Sequence, residues 1–235
     1  TTEIHPPAGV ARRIRHLCGV VIAWLILIYI ALVIAIRPWS IQWGTTAAER
    51  AMALPGDRLV PVAHYHIDHG ITINAPTAAV WPWLIQIGQD RGGFYSYSSL
   101  ENAIGARVSN AERIVPEWQS RRVGELVRSV PPNWMGGRFG PDLGWRILEL
   151  IPGQALVLEG WGAFALLSID DSTTRLLIRT RSPGLPRIGT VVLSPLDLLA
   201  FEPAHLIMER QMLLGIKKRV ERSQDKTFFV EQQVP

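Results

Sequence analysis

A histidine and a glutamate one helical turn apart, His205 and Glu209, carry the sharpest chemical signal in the chain. Pro203 can open a helix that runs to about residue 223. Steps of 100° then place His205, Met208, Met212, Ile216 and Arg219 along one line. Leu206, Leu213 and Val220 widen that apolar face, whereas Arg210, Lys217, Lys218 and Glu221 lie opposite. Glu209 falls about 60° from the centre of the face, where a carboxylate must be paired or must hold its proton more tightly. One reading makes His205 and Glu209 a polar pair at a cavity, orienting a ligand hydroxyl or moving a proton. The other makes Glu209 a structural ion pair with a strand arginine, Arg179 or Arg181. Met208 and Met212 suit an irregular apolar cavity, and equally an ordinary core.

A second group surrounds Gly92 and Gly93 in the stretch 86–102: Arg91, Tyr95, Tyr97, Glu101 and Asn102. These residues can form the polar wall or lid of a cavity, with Arg91 facing a carboxylate or phosphate. Alternatively the loop is self-contained, Arg91 pairing with Glu101 while the tyrosines cap a core. Trp134 lies in Pro-Pro-Asn-Trp-Met-Gly-Gly and is the best candidate for a lipid-facing or gating aromatic; Trp118, Trp145 and Trp161 read as core or rim packing. His64 and His66, at i and i+2, share a strand face with His69 close by, but they lack an HExxH or cysteine partner. They read as solvated strand-edge residues, and no metal site is assigned. No Walker loop, nucleophile elbow, Ser-x-x-Lys or Rossmann fingerprint is present. No cofactor is implied and no residue is assigned as catalytic.

The elements that position these groups follow a simple order. Residues 65–74 favour a strand, and Asn74-Ala75-Pro76 opens a helix over 77–88 with Val80, Trp81, Leu84 and Ile87 inward. A short helix follows at 98–105. Strands are expected at 123–130, 144–151, 155–159, 163–170 and 175–181, with turns at Pro152-Gly153 and Asp171-Ser172-Thr173. Residues 187–199 are ambiguous between a last strand and a turn. The whole is an α+β fold in which a curved antiparallel sheet wraps one long helix, leaving an apolar cavity between them.

Ahead of this body, residues 17–36 form an uncharged run of 20 residues, long enough for a helix of about 30 Å and hence for a bilayer. The run exceeds a signal-peptide core of roughly 7–15 residues and lacks a small-x-small cleavage site before Arg37, so it reads as a single-pass anchor. Arg12, Arg13 and Arg15 precede it and Arg37 follows, which places the tail 1–16 in the cytoplasm and the domain on the outer face. Residues 37–60 read as a juxtamembrane connector, 61–223 as the domain and 224–235 as a tail. The net charge of +4 comes almost wholly from scattered arginines, without an aromatic-interleaved stripe, which argues against nucleic-acid binding. The single Cys18, inside the apolar run, excludes an intramolecular disulfide and a thiolate cage.

Four stretches resemble the SRPBCC (START-like) superfamily, in its bacterial polyketide-cyclase/dehydrase-like branch: residues 86–102, 111–118, 174–179 and 203–217. The resemblance spans about 65–222 and implies a helix-grip fold, which that superfamily uses to enclose hydrophobic ligands. It implies a cavity and no particular reaction. The expected function is therefore a membrane-anchored domain holding a lipid, isoprenoid, carotenoid or quinone. The alternatives are a single-helix accessory subunit of a larger membrane complex, and a cyclase- or dehydratase-type enzyme using Glu209, His205 or a tyrosine.

Overall fold

In the computed structural model of the chain, the described residues are 8–63, 65–182, 187–188, 191–192 and 194–231. Helix α1 (Ala8–Ser40) contains the apolar run, and its segment Arg12–Ser40 is the one helix among the described residues long and apolar enough to cross a membrane. Its half-buried positions are Ile30, Val33, Arg37 and Ser40, spaced so as to form a single stripe. From Arg12 to Trp39 its other residues are exposed.

Six strands make one antiparallel sheet in the order β1-β6-β5-β4-β3-β2: β1 (Tyr65–Ile73), β2 (Leu126–Arg128), β3 (Gly144–Ile151), β4 (Ala155–Leu158), β5 (Gly162–Asp170) and β6 (Thr173–Ser182). Two short helices, α3 (Thr77–Ile85) and α4 (Ser98–Ala103), follow β1, after α2 (Ala47–Ala51) in the stretch preceding it. Strands β7 (Arg187–Ile188) and β8 (Val191–Val192) form a separate small ladder. Then come α5 (Ser194–Leu196), a π-helical turn (Asp197–Phe201) and the long helix α6 (Glu202–Glu231). The described residues of the ambiguous stretch 187–199 thus form a short ladder and the start of a helix. The shape is compatible with a helix grip.

Helix α6 lies across the inner face of the sheet. Met212, Leu213, Ile216 and Val220 are buried on the face that the 100° steps pick out, against Ile73, Leu84 and Leu176 among others. Gly215 is required there: a Cβ would stand 2.1 Å from the Tyr95 carbonyl oxygen. Helix α3 buries Trp83 rather than Trp81. It ends at Ile85, where Gln86 turns its amide to the Tyr95 hydroxyl and the Arg113 carbonyl, and Trp83 stacks edge-on against Tyr95. Strand β2 is shorter than the expected 123–130: Gly124 takes φ +86° ahead of it, although its N–H still reaches the Ile147 carbonyl at 2.8 Å.

The stretch 37–60 is packed against the domain over much of its length. The Ile41 and Trp43 carbonyls accept from Asp68 N–H (2.9 Å) and Gly70 N–H (3.1 Å), covering the otherwise open edge of β1. Leu54 packs on Ala165 and Leu177 of the outer sheet face. This extra layer explains why Ala163, Phe164, Ala165 and Leu166 of β5 are all buried, as a continuous apolar run and not an alternating one. Arg179 fixes the layer. Its guanidinium donates to Asp68 (2.6 Å), to Asp57 and the Met52 carbonyl (2.8 and 2.7 Å), and to the Glu49 carbonyl (2.7 Å) at the end of α2.

Candidate functional site

A cavity of about 830 Å³ lies between α6, the inner sheet face, the α4 region and the loop carrying Trp134. One wall is aromatic. Trp145 and Trp161 have ring centroids 4.4 Å apart, and Phe94 meets both at 5.8 and 5.9 Å. Helix α6 contributes Ala204, His205, Met208, Glu209 and Met212. The lining is therefore mainly hydrocarbon and aromatic surface, interrupted by a few polar groups.

The polar centre is Glu209, which is buried. Its Oε1 accepts from His69 Nδ1 at 2.6 Å and its Oε2 accepts from Trp161 Nε1 at 2.7 Å. His205 Nε2, one turn earlier, stands 3.0 Å from Oε2, at ion-pair distance but without the alignment of a hydrogen bond. The far nitrogen of His69 lies 2.7 Å from the Ser40 carbonyl at the end of α1. His69 thereby bridges Glu209 and the Ser40 carbonyl and links the end of α1 to the cavity wall. Burial alone pushes the Glu209 carboxyl upward, but His205 and the His69 N–H outweigh it and hold the group well below the usual carboxylate range. Burial likewise opposes charge on His205, yet Glu209, Asp197 and Glu202 raise its pKa above the ordinary histidine value.

The ligand atoms of His69, His205 and Glu209 lie within 4.8 Å of one another, the arrangement among the described residues most able to hold a metal. A cation there must displace the His69–Glu209 bond and compete with the Trp161 N–H for Oε2. In this donor set His69 and Glu209 are hydrogen-bonded to each other, while His205 Nε2 has no aligned hydrogen-bond partner among the described residues.

Three wall atoms of the cavity have no hydrogen-bond partner among the described residues: Glu101 Oε2, Thr180 Oγ1 and His205 Nε2. Burial raises the Glu101 carboxyl to about 7, so it keeps its proton near neutrality and can donate as well as accept.

Of the residues singled out in the sequence, Glu101, Trp134, His205, Met208, Glu209 and Met212 line this cavity. Arg91, Tyr95, Tyr97 and Asn102 do not. Arg91 donates to Glu125 (2.7 Å) and to the Trp118 and Ser120 carbonyls, and leaves Glu101 without it. Tyr95 is buried under Arg219 with its hydroxyl on Gln86, and Tyr97 points to the surface. Asn102 closes its own loop by exchanging two bonds with Val108. The Gly92-Gly93 stretch is thus largely a self-contained clamp, with Asn110 accepting from the Phe94 and Tyr95 N–H groups.

Arg179 and Arg181 serve Asp68 and Asp57, and the partners of Glu209 are His69, His205 and Trp161. His69 is buried and not a solvated edge residue, whereas His66 is exposed and His64 lies outside the described residues. Strand parity carried the missed signal. His69 shares its face with Ile67, Ile71 and Ile73, and Thr180 sits opposite Ile67 in the ladder. No family model matches this chain, and no curated protein matches it.

Proposed function

We propose that this chain is a membrane-anchored, START-like domain whose cavity binds a hydrophobic small molecule carrying one or more oxygen functions, of the lipid, isoprenoid, carotenoid or quinone kind. The observation that carries the reading is the cavity itself: about 830 Å³, apolar for most of its lining, with atoms of Glu101, Thr180 and His205 that have no hydrogen-bond partner among the described residues. Pockets for small molecules run to roughly 300–1,000 Å³ with a few placed polar groups. A hydroxyl, carbonyl or carboxyl of the guest satisfies those atoms, and the Trp145–Trp161 wall takes its apolar body. Helix α1 supplies the anchor, with its N-terminal arginines on the cytoplasmic side. The order of elements and the long helix in a curved sheet support the START-like assignment.

The test is native mass spectrometry of the full chain extracted in mild detergent from its own membrane. A bound small mass, lost on Met212→Trp or on the rim substitution Ala204→Trp with folding intact, is the expected result. An empty chain overturns the reading. Copurifying membrane subunits with an empty cavity favour the accessory-subunit alternative. A guest that is turned over moves the domain to the enzymes.

A further inference from the structure

The turn that precedes α6 lies beside the membrane-crossing helix and not below it. Tyr29, in the middle of the apolar run, donates its hydroxyl to the Leu199 carbonyl. Arg37, just past the run, forms a two-bond pair with Glu202 at 2.8 and 2.9 Å. Tyr29 and Arg37 are eight residues apart, which is about 12 Å along a helix axis. If Arg37 marks the headgroup level, Leu199 reaches well into a hydrocarbon half-layer of about 15 Å.

The composition of the turn fits that depth. Leu196 and Phe201 are 48% and 55% exposed, and Leu198 and Leu199 are half-buried. Its single ionisable side chain, Asp197, is buried and faces the cavity. Pro203, four residues after Leu199, has no N–H to offer the Leu199 carbonyl, and in hydrocarbon such a carbonyl needs an internal donor. The Tyr29 hydroxyl is that donor for Leu199. The same turn walls the cavity through Asp197 and Phe201, and the exposed Ile104 lines it too.

We propose that the turn 195–201 is inserted into the bilayer alongside α1, so that the cavity opens sideways into hydrocarbon. A guest then moves between leaflet and cavity past Phe201 and Ile104 without crossing water. Glu202 and Arg37 sit at the interface, and α6 rises from it toward the sheet. This rests on the reading of α1 as a membrane anchor.

The experiment uses the full chain in lipid vesicles, with Cys18→Ser to remove the exposed native thiol. Single cysteines at Leu196→Cys or Ala200→Cys are labelled with an environment-sensitive fluorophore. Leu25→Cys reports the anchor. Ile169→Cys reports the far end of the domain, near the β5–β6 turn. Each site is quenched in parallel by bromine-bearing lipid and by iodide in the water. Positions 196, 200 and 25 are expected to lose most of their emission to brominated lipid and to resist iodide, with position 169 behaving in the opposite way. Iodide quenching at 196 and 200, with 25 still quenched by lipid, overturns the inserted turn and leaves the anchor standing. Iodide quenching at 25 overturns the anchor and the inserted turn together. Two turn positions guard against one substitution disturbing the fold.

Discussion

Two buried charge clusters hold the segment that follows α1, and they are built on opposite faces of the same edge strand. On the outer face, Arg179 meets Asp68, Asp57 and carbonyls of the α2 end. On the inner face, Glu209 meets His69, Trp161 and His205, with His69 reaching the Ser40 carbonyl. Asp68 and His69 are adjacent in sequence and point to opposite sides, which is why one strand serves both. The outer cluster sits beneath a packed layer and the cavity does not reach Arg179. The inner cluster borders an 830 Å³ cavity and leaves His205 Nε2 without an aligned partner. Buried charge alone therefore does not mark a site in this molecule. Of the two clusters, the inner one borders the cavity and is the one proposed as part of a binding site.

The comparison breaks most sharply at Arg179. Arg179→Met leaves Asp68 and Asp57 without their main cation and frees the end of α2. A loss of about 3–5 kcal/mol is expected, the usual consequence of removing one partner from a buried ion pair. Denaturant unfolding of the detergent-solubilised chain measures it. If guest binding by the folded fraction also disappears, the two clusters are not separate in role. A loss below about 1 kcal/mol removes the structural assignment of Arg179.

Glu209→Gln is expected to cost less, about 1–3 kcal/mol, because shape and one acceptor oxygen are retained. Its distinguishing effect is on His205. Without the carboxylate, burial dominates, and the His205 titration should fall from above the ordinary value toward or below about 6.5. His205 is raised in the folded state, so the stability it contributes is present at low pH and fades as pH rises through its folded value. In Glu209→Gln that contribution disappears, and it turns into a cost at low pH where the folded value drops below the ordinary one. An NMR titration of the His205 ring shows the shift, and an unmoved ring sinks the proposed coupling.

Much of this architecture was legible before any coordinates. The α6 face followed from 100° steps because a long amphipathic helix repeats its signal over many turns. Gly144–Ile151 was read to its boundaries, since Gly144 and Pro152 close it on both sides. The partners of Glu209 were not legible, because pairing across a sheet depends on register and a long arginine can satisfy either face. Arg179 was a reasonable partner by charge, yet parity sends it outward with Asp68. The glycine-rich stretch misled for a related reason. Its density of polar groups is what a turn with a buried backbone needs, and Asn102, Asn110 and Gln86 spend their amides on that backbone.

Glu101 sharpens the inner side of the comparison by its pH behaviour. Burial raises it to about 7 from a reference of 4.5. A carboxyl raised on folding supports stability at low pH and withdraws it as pH climbs from about 4.5 through about 7. The slope should be partial, since the group keeps some solvent contact, and Glu101→Gln should flatten it. If Glu101 also donates to the guest, affinity falls above neutrality in the native chain and stays level in Glu101→Gln. A level profile in both removes Glu101 from the site.

The smallest effect belongs to Glu49, on the outer side. Its carboxylate pairs with Arg175 at 2.6 Å, and this bond, the Thr46 N–H and the arginine charge outweigh burial to hold it at about 2. The sign is opposite to that of Glu101. The contribution is present above about pH 4.5 and is lost as pH falls toward about 2. Because both residues are only half-buried and glutamine keeps an acceptor for Arg175, Glu49→Gln should cost about 1 kcal/mol at neutral pH, and less in high salt. Glu49 also closes the capping box of α2 by accepting from Thr46 N–H, a role that glutamine preserves in form. The carbonyls that anchor Arg179 lie at the end of that same helix. If Glu49→Gln costs as much as Arg179→Met, the outer cluster is one cooperative unit reaching from Thr46 to Arg181. A cost that stays small and salt-dependent places the rigidity of the outer layer in Arg179 alone.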